Sequence, residues 1–163
     1  MVSPFFITGY PRSMTAWVSI ALNCAHERDG ASFEEFMSQL ESGSQIGNSD
    51  STISFFYENI SERFPNSKWV IIEREKSRSL DAFCRVSKLN KNSCVAFFDQ
   101  LEACMLRIPS ALRIDFNDVT SRIEDIWSWC KPETEIPKAF LSRMKLMNVQ
   151  QIPELIQIAA KTV

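Results

Sequence analysis

The stretch Phe5–Leu22, FFITGYPRSMTAWVSIAL, decides how the rest of the chain is read. Four apolar or β-favouring residues, Phe5 to Thr8, end at Gly9-Tyr10-Pro11, where a continuing strand is broken. After Arg12 and Ser13 the apolar positions Trp17, Ile20, Ala21 and Cys24 fall on one face of a helix. The spacing predicts a strand, a tight turn and a helix whose free amides point back at the turn. Such a helix start favours an anion.

Working outward, three further short runs match the first: SQIGN around Ile46, KWVIIE from Lys68 to Glu73, and ALRID from Ala111 to Asp115. Ile53, Phe56, Tyr57, Ile60 and Phe64 trace a helical stripe after the second run. Val119, Ile123, Ile126, Trp127 and Cys130 trace another after the fourth. Alternation of strand and helix predicts an α/β fold: a three-layer parallel sheet with helices on both faces. Extra helices are expected from Ser32 to Glu41, where Ser32 and Glu35 have the spacing of a capping box, and from about Ser93 to Arg107. Two more are expected in the carboxy-terminal part, 137–162. A single domain spanning 1–163, with its core in 4–130, accommodates all of this.

Composition narrows the function classes. With 163 residues and 45% hydrophobic content, the chain can bury a core without disulfides or metals. A net charge of −2 with scattered Lys and Arg argues against nucleic acid as partner. The five cysteines form no Cys-x-x-Cys pair and His26 is the lone histidine, so neither a disulfide framework nor a metal site is expected. No basic leader precedes Pro4, and no apolar run approaches the ~20 residues that span a bilayer. A cytoplasmic protein without membrane contact is the expectation.

Ligands of parallel sheets sit beyond the carboxyl ends of the strands. That rule selects GYPRSM, NSDS, REKSRS and DFND as the segments that carry the chemistry. Set against the nucleotide-hydrolase loop G-x-x-x-x-G-K-[ST] and aligned from Gly9, the first segment has Met14, Thr15 and Ala16 where that motif has glycine, lysine and a hydroxyl residue. Magnesium-dependent transfer from ATP or GTP thereby loses the lysine and the metal-binding hydroxyl. Gly9, Arg12, Ser13 and Thr15 at a helix start remain for an anion.

The segment PRSMTAW resembles the 5′-phosphosulfate loop of the sulfotransferases, Pro-Lys/Arg-Ser-Gly-Thr-Thr followed by an aromatic or apolar residue. The match holds at Pro11, Arg12, Ser13, Thr15 and Trp17, whereas Met14 replaces a glycine and Ala16 a threonine. The resemblance implies 3′-phosphoadenosine 5′-phosphosulfate as donor, without a metal, and a sulfuryl group passed to a hydroxyl or amine on a small molecule, sugar or peptide. It implies that Arg12 meets the phosphosulfate, that the amides and hydroxyls of Ser13 and Thr15 cradle the 5′-phosphate in a cofactor-binding loop that also includes Gly9, Pro11, Met14 and Ala16, and that Trp17 lies near the adenine unless it is core. FPNSKWVIIEREKSRSLDAF resembles the family's 3′-phosphate segment, which has an arginine and, eight residues on, a serine. Arg74 fills the first role, or else pairs with Glu73 or Glu75; Ala82 stands at the serine position, leaving Ser79 or Ser77 as stand-ins.

Sulfuryl transfer needs a base for the acceptor's proton. The family uses a histidine or glutamate near the second strand, and the carboxylate in that region is Asp50, which fits a helix cap equally well. His26 reads as a solvated helix end. A fold of this kind retained purely for binding is the alternative to an enzyme.

Overall fold

A computed structural model describes residues 3–147. Within them, strands β1 (Phe5–Gly9), β2 (Ala25–His26), β3 (Gly47–Ser49), β4 (Lys68–Glu73) and β5 (Leu112–Asp115) form one sheet in the order β2-β3-β1-β4-β5. All four pairings are parallel. The helices are α1 (Thr15–Leu22), α2 (Phe33–Ser42), α3 (Tyr57–Arg63), α4 (Lys76–Ser87), α5 (Lys91–Leu106), α6 (Ile123–Cys130) and α7 (Lys138–Leu146). The expected helix in 153–162 lies outside the described residues.

Alternation along the strands splits the core in two. Phe5 and Ile7 of β1, Val70 and Ile72 of β4 and Ile114 of β5 face α1, α6 and α7, with Trp17, Leu22, Ile123 and Ile126 completing that layer. Phe6, Trp69 and Ile71 face the other way, onto Phe36 and Leu40 of α2, Ile60 of α3 and Phe98 and Leu101 of α5. Every residue of β1 is buried, as the central strand of a doubly covered sheet requires. The step from β1 to β2 runs outward through α1 on one face. Each later step runs the opposite way through helices on the other face, so one crossover hand serves throughout.

The capping box at α2 is present: the Ser32 hydroxyl accepts from the Glu35 amide and the Glu35 carboxylate accepts from the Ser32 amide. The Ile53–Phe64 stripe is divided into a 3-10 turn (Ile53–Phe56) and α3, with Ile53 and Ile60 as its fully buried members. Gly47 opens β3. A Cβ there would stand 2.5 Å from the Phe5 carbonyl oxygen, so close strand packing demands the glycine. Trp129, half-exposed, donates its indole N–H to the Trp69 carbonyl at 3.1 Å. The five cysteines are free thiols, with Cys94, Cys104 and Cys130 buried. Among the described residues no helix is long and apolar enough to cross a membrane.

β1 lies between β3 and β4, and the chain leaves β1 toward one face but leaves its two neighbours toward the other. The carboxyl end of β1 therefore opens a crevice, the position where sheets of this kind hold ligands.

Candidate functional site

The turn after β1 is shaped by close approach and by two left-handed residues. Gly9 pairs with Ile72 of β4, and a Cβ on it would sit 2.7 Å from the Ile72 carbonyl oxygen. Arg12 (φ 71°) and Met14 (φ 65°) both occupy the region that favours glycine. Met14 is the N-cap of α1 and supplies no side-chain cap, so the first-turn amides of Thr15, Ala16 and Trp17 are the helix's orphan donors. Their dipole and N–H groups point toward the turn.

The loop is held from the β4–α4 side by its own carbonyls. The buried Ser79 hydroxyl donates to the Pro11 carbonyl at 2.7 Å, and Arg74 Nη1 donates to the Arg12 carbonyl. From the β3 side, the Ser49 hydroxyl donates to the Thr15 carbonyl at 2.8 Å. Ser13 is buried beside Gly9, and its hydroxyl has no hydrogen-bond partner among the described residues.

A cavity of about 1140 Å³ opens over this loop. Pro11, Arg12, Met14, Thr15, Ala16 and Trp17 form its floor, His26, Glu27, Arg28 and Asp50 to Thr52 one wall, and Arg74, Ala82, Phe83, Arg85, Val86, Phe97 and Phe116 the other. Its charge is unevenly neutralised. Arg28, Arg63, Arg78, Arg107, Arg113 and Arg122 each sit in an ion pair. Among the described residues, Arg12, Arg74 and Arg85 have no carboxylate within 4.0 Å, and all three line the cavity; Arg143 on α7, also unpaired, does not.

Arg74 carries most of the information. The carboxylates beside it in sequence are taken, Glu73 by Arg113 at 2.9 Å and Glu75 by Arg78 at 2.8 Å. Its guanidinium lies 4.2 Å from the centroid of the Phe116 ring. Burial, followed by the neighbouring charges of Arg12 and Arg78, pushes its pKa below the ordinary arginine value. Arg12 and Arg74, neighbouring like charges with no carboxylate within 4.0 Å among the described residues, favour an anion between them.

The opposite wall is differently built. Asp50 is buried, and both of its oxygens are engaged: Oδ2 accepts from Arg28 Nη1 at 2.9 Å, and Oδ1 accepts from the Thr52 amide and hydroxyl, each at 2.7 Å. Asp50 is thus the cap of the following turn and the anchor of Arg28. Glu27, Arg28 and Asp29 form a left-handed turn with φ between 49° and 58°. It is pinned where the Arg28 amide donates to Asn48 Oδ1 at 3.0 Å. Three such residues in a row are strained.

Of the residues singled out from the sequence, the structure brings Pro11, Arg12, Met14 to Trp17, Asp50 and Arg74 to one cavity. Gly9 and Ser13, within the loop, and Ser79, bonded to it, do not line the cavity. Trp17 is fully buried, and its indole N–H donates to the Met144 carbonyl at 3.3 Å; it is a core residue that borders the cavity. His26, read as a solvated helix end, instead terminates the edge strand β2 opposite Ser49 and lines the cavity near Asp50. Arg28 and Arg85 were not legible as site residues, because only tertiary pairing brings their helices and strands to the rim. Asp115 accepts from the Asn117 amide at 2.8 Å and caps a 3-10 turn.

No family model matches this chain. Neither a curated protein nor a solved structure matches it.

Proposed function

We propose that the chain is a sulfotransferase-like phosphate-loop domain that transfers a sulfuryl group from 3′-phosphoadenosine 5′-phosphosulfate to a hydroxyl or amine acceptor. The observation that carries this reading is the grouping of three unpaired arginines around a loop whose helix-start amides are uncapped. The residues fit the donor's anionic groups: Gly9 to Ala16 for the 5′-phosphosulfate, and Arg74 for a phosphate on the opposite wall. In the transfer the acceptor oxygen or nitrogen forms a bond to sulfur as the bond from sulfur to the 5′-phosphate oxygen breaks. Adenosine 3′,5′-bisphosphate leaves with the electron pair. Arg12 and the loop amides stabilise the charge that grows on the departing oxygen.

The acceptor's proton has two destinations in the facing wall, Asp50 and His26. Asp50 must release Thr52 or Arg28 to take it. The acceptor is a small molecule, sugar or peptide, and no metal or nucleic acid takes part in this reading. Phosphoryl transfer from a nucleoside triphosphate is disfavoured by Thr15 and Ala16 at the lysine and hydroxyl positions.

A second reading, a binding protein that has kept the fold without the chemistry, is favoured by one observation: the engagement of both Asp50 oxygens. Incubation with the donor and a panel of phenols, sugars and amines, with release of adenosine 3′,5′-bisphosphate followed by chromatography, separates the two. Acceptor-dependent release supports the enzyme. Binding without release supports the second reading.

A further inference from the structure

Helices α4 and α5 run antiparallel: Lys76 at the start of α4 pairs with Glu102 near the end of α5, and Lys91 at the start of α5 pairs with Asp81 on α4. The tip between them, Arg85-Val86-Ser87-Lys88-Leu89-Asn90-Lys91, is exposed at every position. Val86 is 62% and Leu89 54% exposed. No acidic residue stands between Asp81 and Asp99, although the protein as a whole has a net charge of −2. Lys91 is spent on Asp81 at 2.6 Å, whereas Arg85 and Lys88 have no carboxylate within 4.0 Å among the described residues. The tip is therefore apolar and basic at once.

Local roles explain part of this. Arg85 and Lys88 complement the dipole at the end of α4. Leu89 follows the left-handed Lys88 (φ 60°), a place where an apolar residue commonly folds back on its own helix. More than half of Leu89 nevertheless remains in solvent, so that contact does not cover it. Lys91 stands in the first turn of α5, where the dipole opposes a cation. An acidic protein surface would use the cations and leave Val86 and Leu89 wet. A bilayer interface takes both: aliphatic side chains enter the boundary between headgroups and acyl chains, while Arg and Lys heads reach anionic headgroups.

We infer that the α4–α5 tip docks on an anionic lipid surface, with Val86 and Leu89 entering the interface and Arg85, Lys88 and Lys91 meeting the headgroups. Arg85, Val86 and Ser87 also line the cavity over the β1–α1 loop, so a docked tip brings the rim of that cavity to the bilayer. The sequence predicts no membrane contact because it holds no spanning run, and a peripheral contact needs none. The docking does not rest on the donor reading.

The test is co-sedimentation of the full chain with vesicles of phosphatidylcholine alone and with vesicles in which a third of the lipid is phosphatidylserine. Wild type should pellet with the second and not the first, and raised salt should weaken the association. Lys88→Gln should lower the partition coefficient about fivefold, about 1 kcal/mol. Leu89→Ser should lower it at least fivefold. Leu106→Ser, which alters a leucine 70% exposed at the opposite end of α5, should change it less than twofold. No association with the phosphatidylserine vesicles overturns the inference, as does equal association with both kinds or equal loss in Leu106→Ser and Leu89→Ser. Loss in Lys88→Gln with wild-type association in Leu89→Ser overturns it too, since charge alone is the signature of an acidic protein partner. Nucleotide binding is measured separately, so either idea fails without the other.

Discussion

Ser79 donates its hydroxyl to the Pro11 carbonyl at 2.7 Å, so helix α4 holds the turn after β1 by a backbone oxygen. Arg74 makes the equivalent contact to the next carbonyl, that of Arg12. The two side chains that the resemblance implies for a ligand phosphate thus hold the loop by its own carbonyls. Loss of either acts on the anion site through the loop as well as through any direct contact.

Ser79→Ala should cost about 1–2 kcal/mol of stability, because a buried donor and its carbonyl partner are separated. It should also weaken adenosine 3′,5′-bisphosphate binding severalfold. Urea denaturation and calorimetry measure the two effects. An unchanged affinity would show that the clasp does not govern the site.

Met14 sits at φ 65° with its side chain against the α1 core layer. Met14→Gly and Met14→Ala remove nearly the same side-chain packing, and the remaining Cβ in a left-handed position costs about 1–2 kcal/mol. The glycine variant should therefore be more stable than the alanine variant by about 1 kcal/mol, and should bind the bisphosphate more tightly. Equal midpoints in denaturant would contradict the assigned conformation.

Asp50→Asn removes a buried acceptor from Arg28 and should cost about 2–4 kcal/mol, the lower part of the range for broken buried pairs because Arg28 is partly exposed. His26→Gln should leave stability within about 0.5 kcal/mol. Turnover lost in His26→Gln, with bisphosphate affinity retained, assigns the proton to His26. Turnover retained there and lost in Asp50→Asn assigns it to Asp50.

Tyr10 follows Gly9 in the loop, stacks on Phe98 at 5.3 Å between centroids, and has its pKa pushed up to about 12 by burial and then by the Glu102 carboxylate beside it. A phenol raised in the folded state contributes stability that is complete below its unfolded pKa near 10 and is lost as pH rises through the folded value. The fold should thus lose about 2–3 kcal/mol between pH 10 and 12 through this group. Tyr10→Phe should flatten that limb, and the late tyrosinate absorbance should vanish with it.

How much of this was readable before the structure differs from element to element. β1 and β4 were visible to within a residue, because a strand buried on both faces writes a continuous apolar run, and β5, an edge strand, showed by Leu112 and Ile114 alternating with exposed Arg113 and Asp115. β2 was not: Ala25 and His26 become a strand only by pairing with Asn48 and Ser49. With β2 went the location of His26 and Arg28, and the left-handed turn Glu27–Asp29 leaves no local trace apart from Gly30 at its end. The loop itself was legible, since glycine, proline and a helix start mark it. Arg74 and Ser79 stood out in the sequence only through the resemblance, and their hold on the loop left no sequence signal, since a bond to a main-chain carbonyl imposes no residue type on its acceptor. Arg85 became visible only when the ion pairs of the other arginines were on view.

In the proposed reading, the cavity over the β1–α1 loop holds an adenine nucleotide with two separate phosphates without a metal. Calorimetric titration with adenosine 3′,5′-bisphosphate, run beside ATP with magnesium, tests it most directly. Micromolar binding of the bisphosphate without magnesium, and at least tenfold weaker binding of ATP, is the predicted result. Binding of ATP with magnesium in preference to the bisphosphate, or no binding of either, would contradict it.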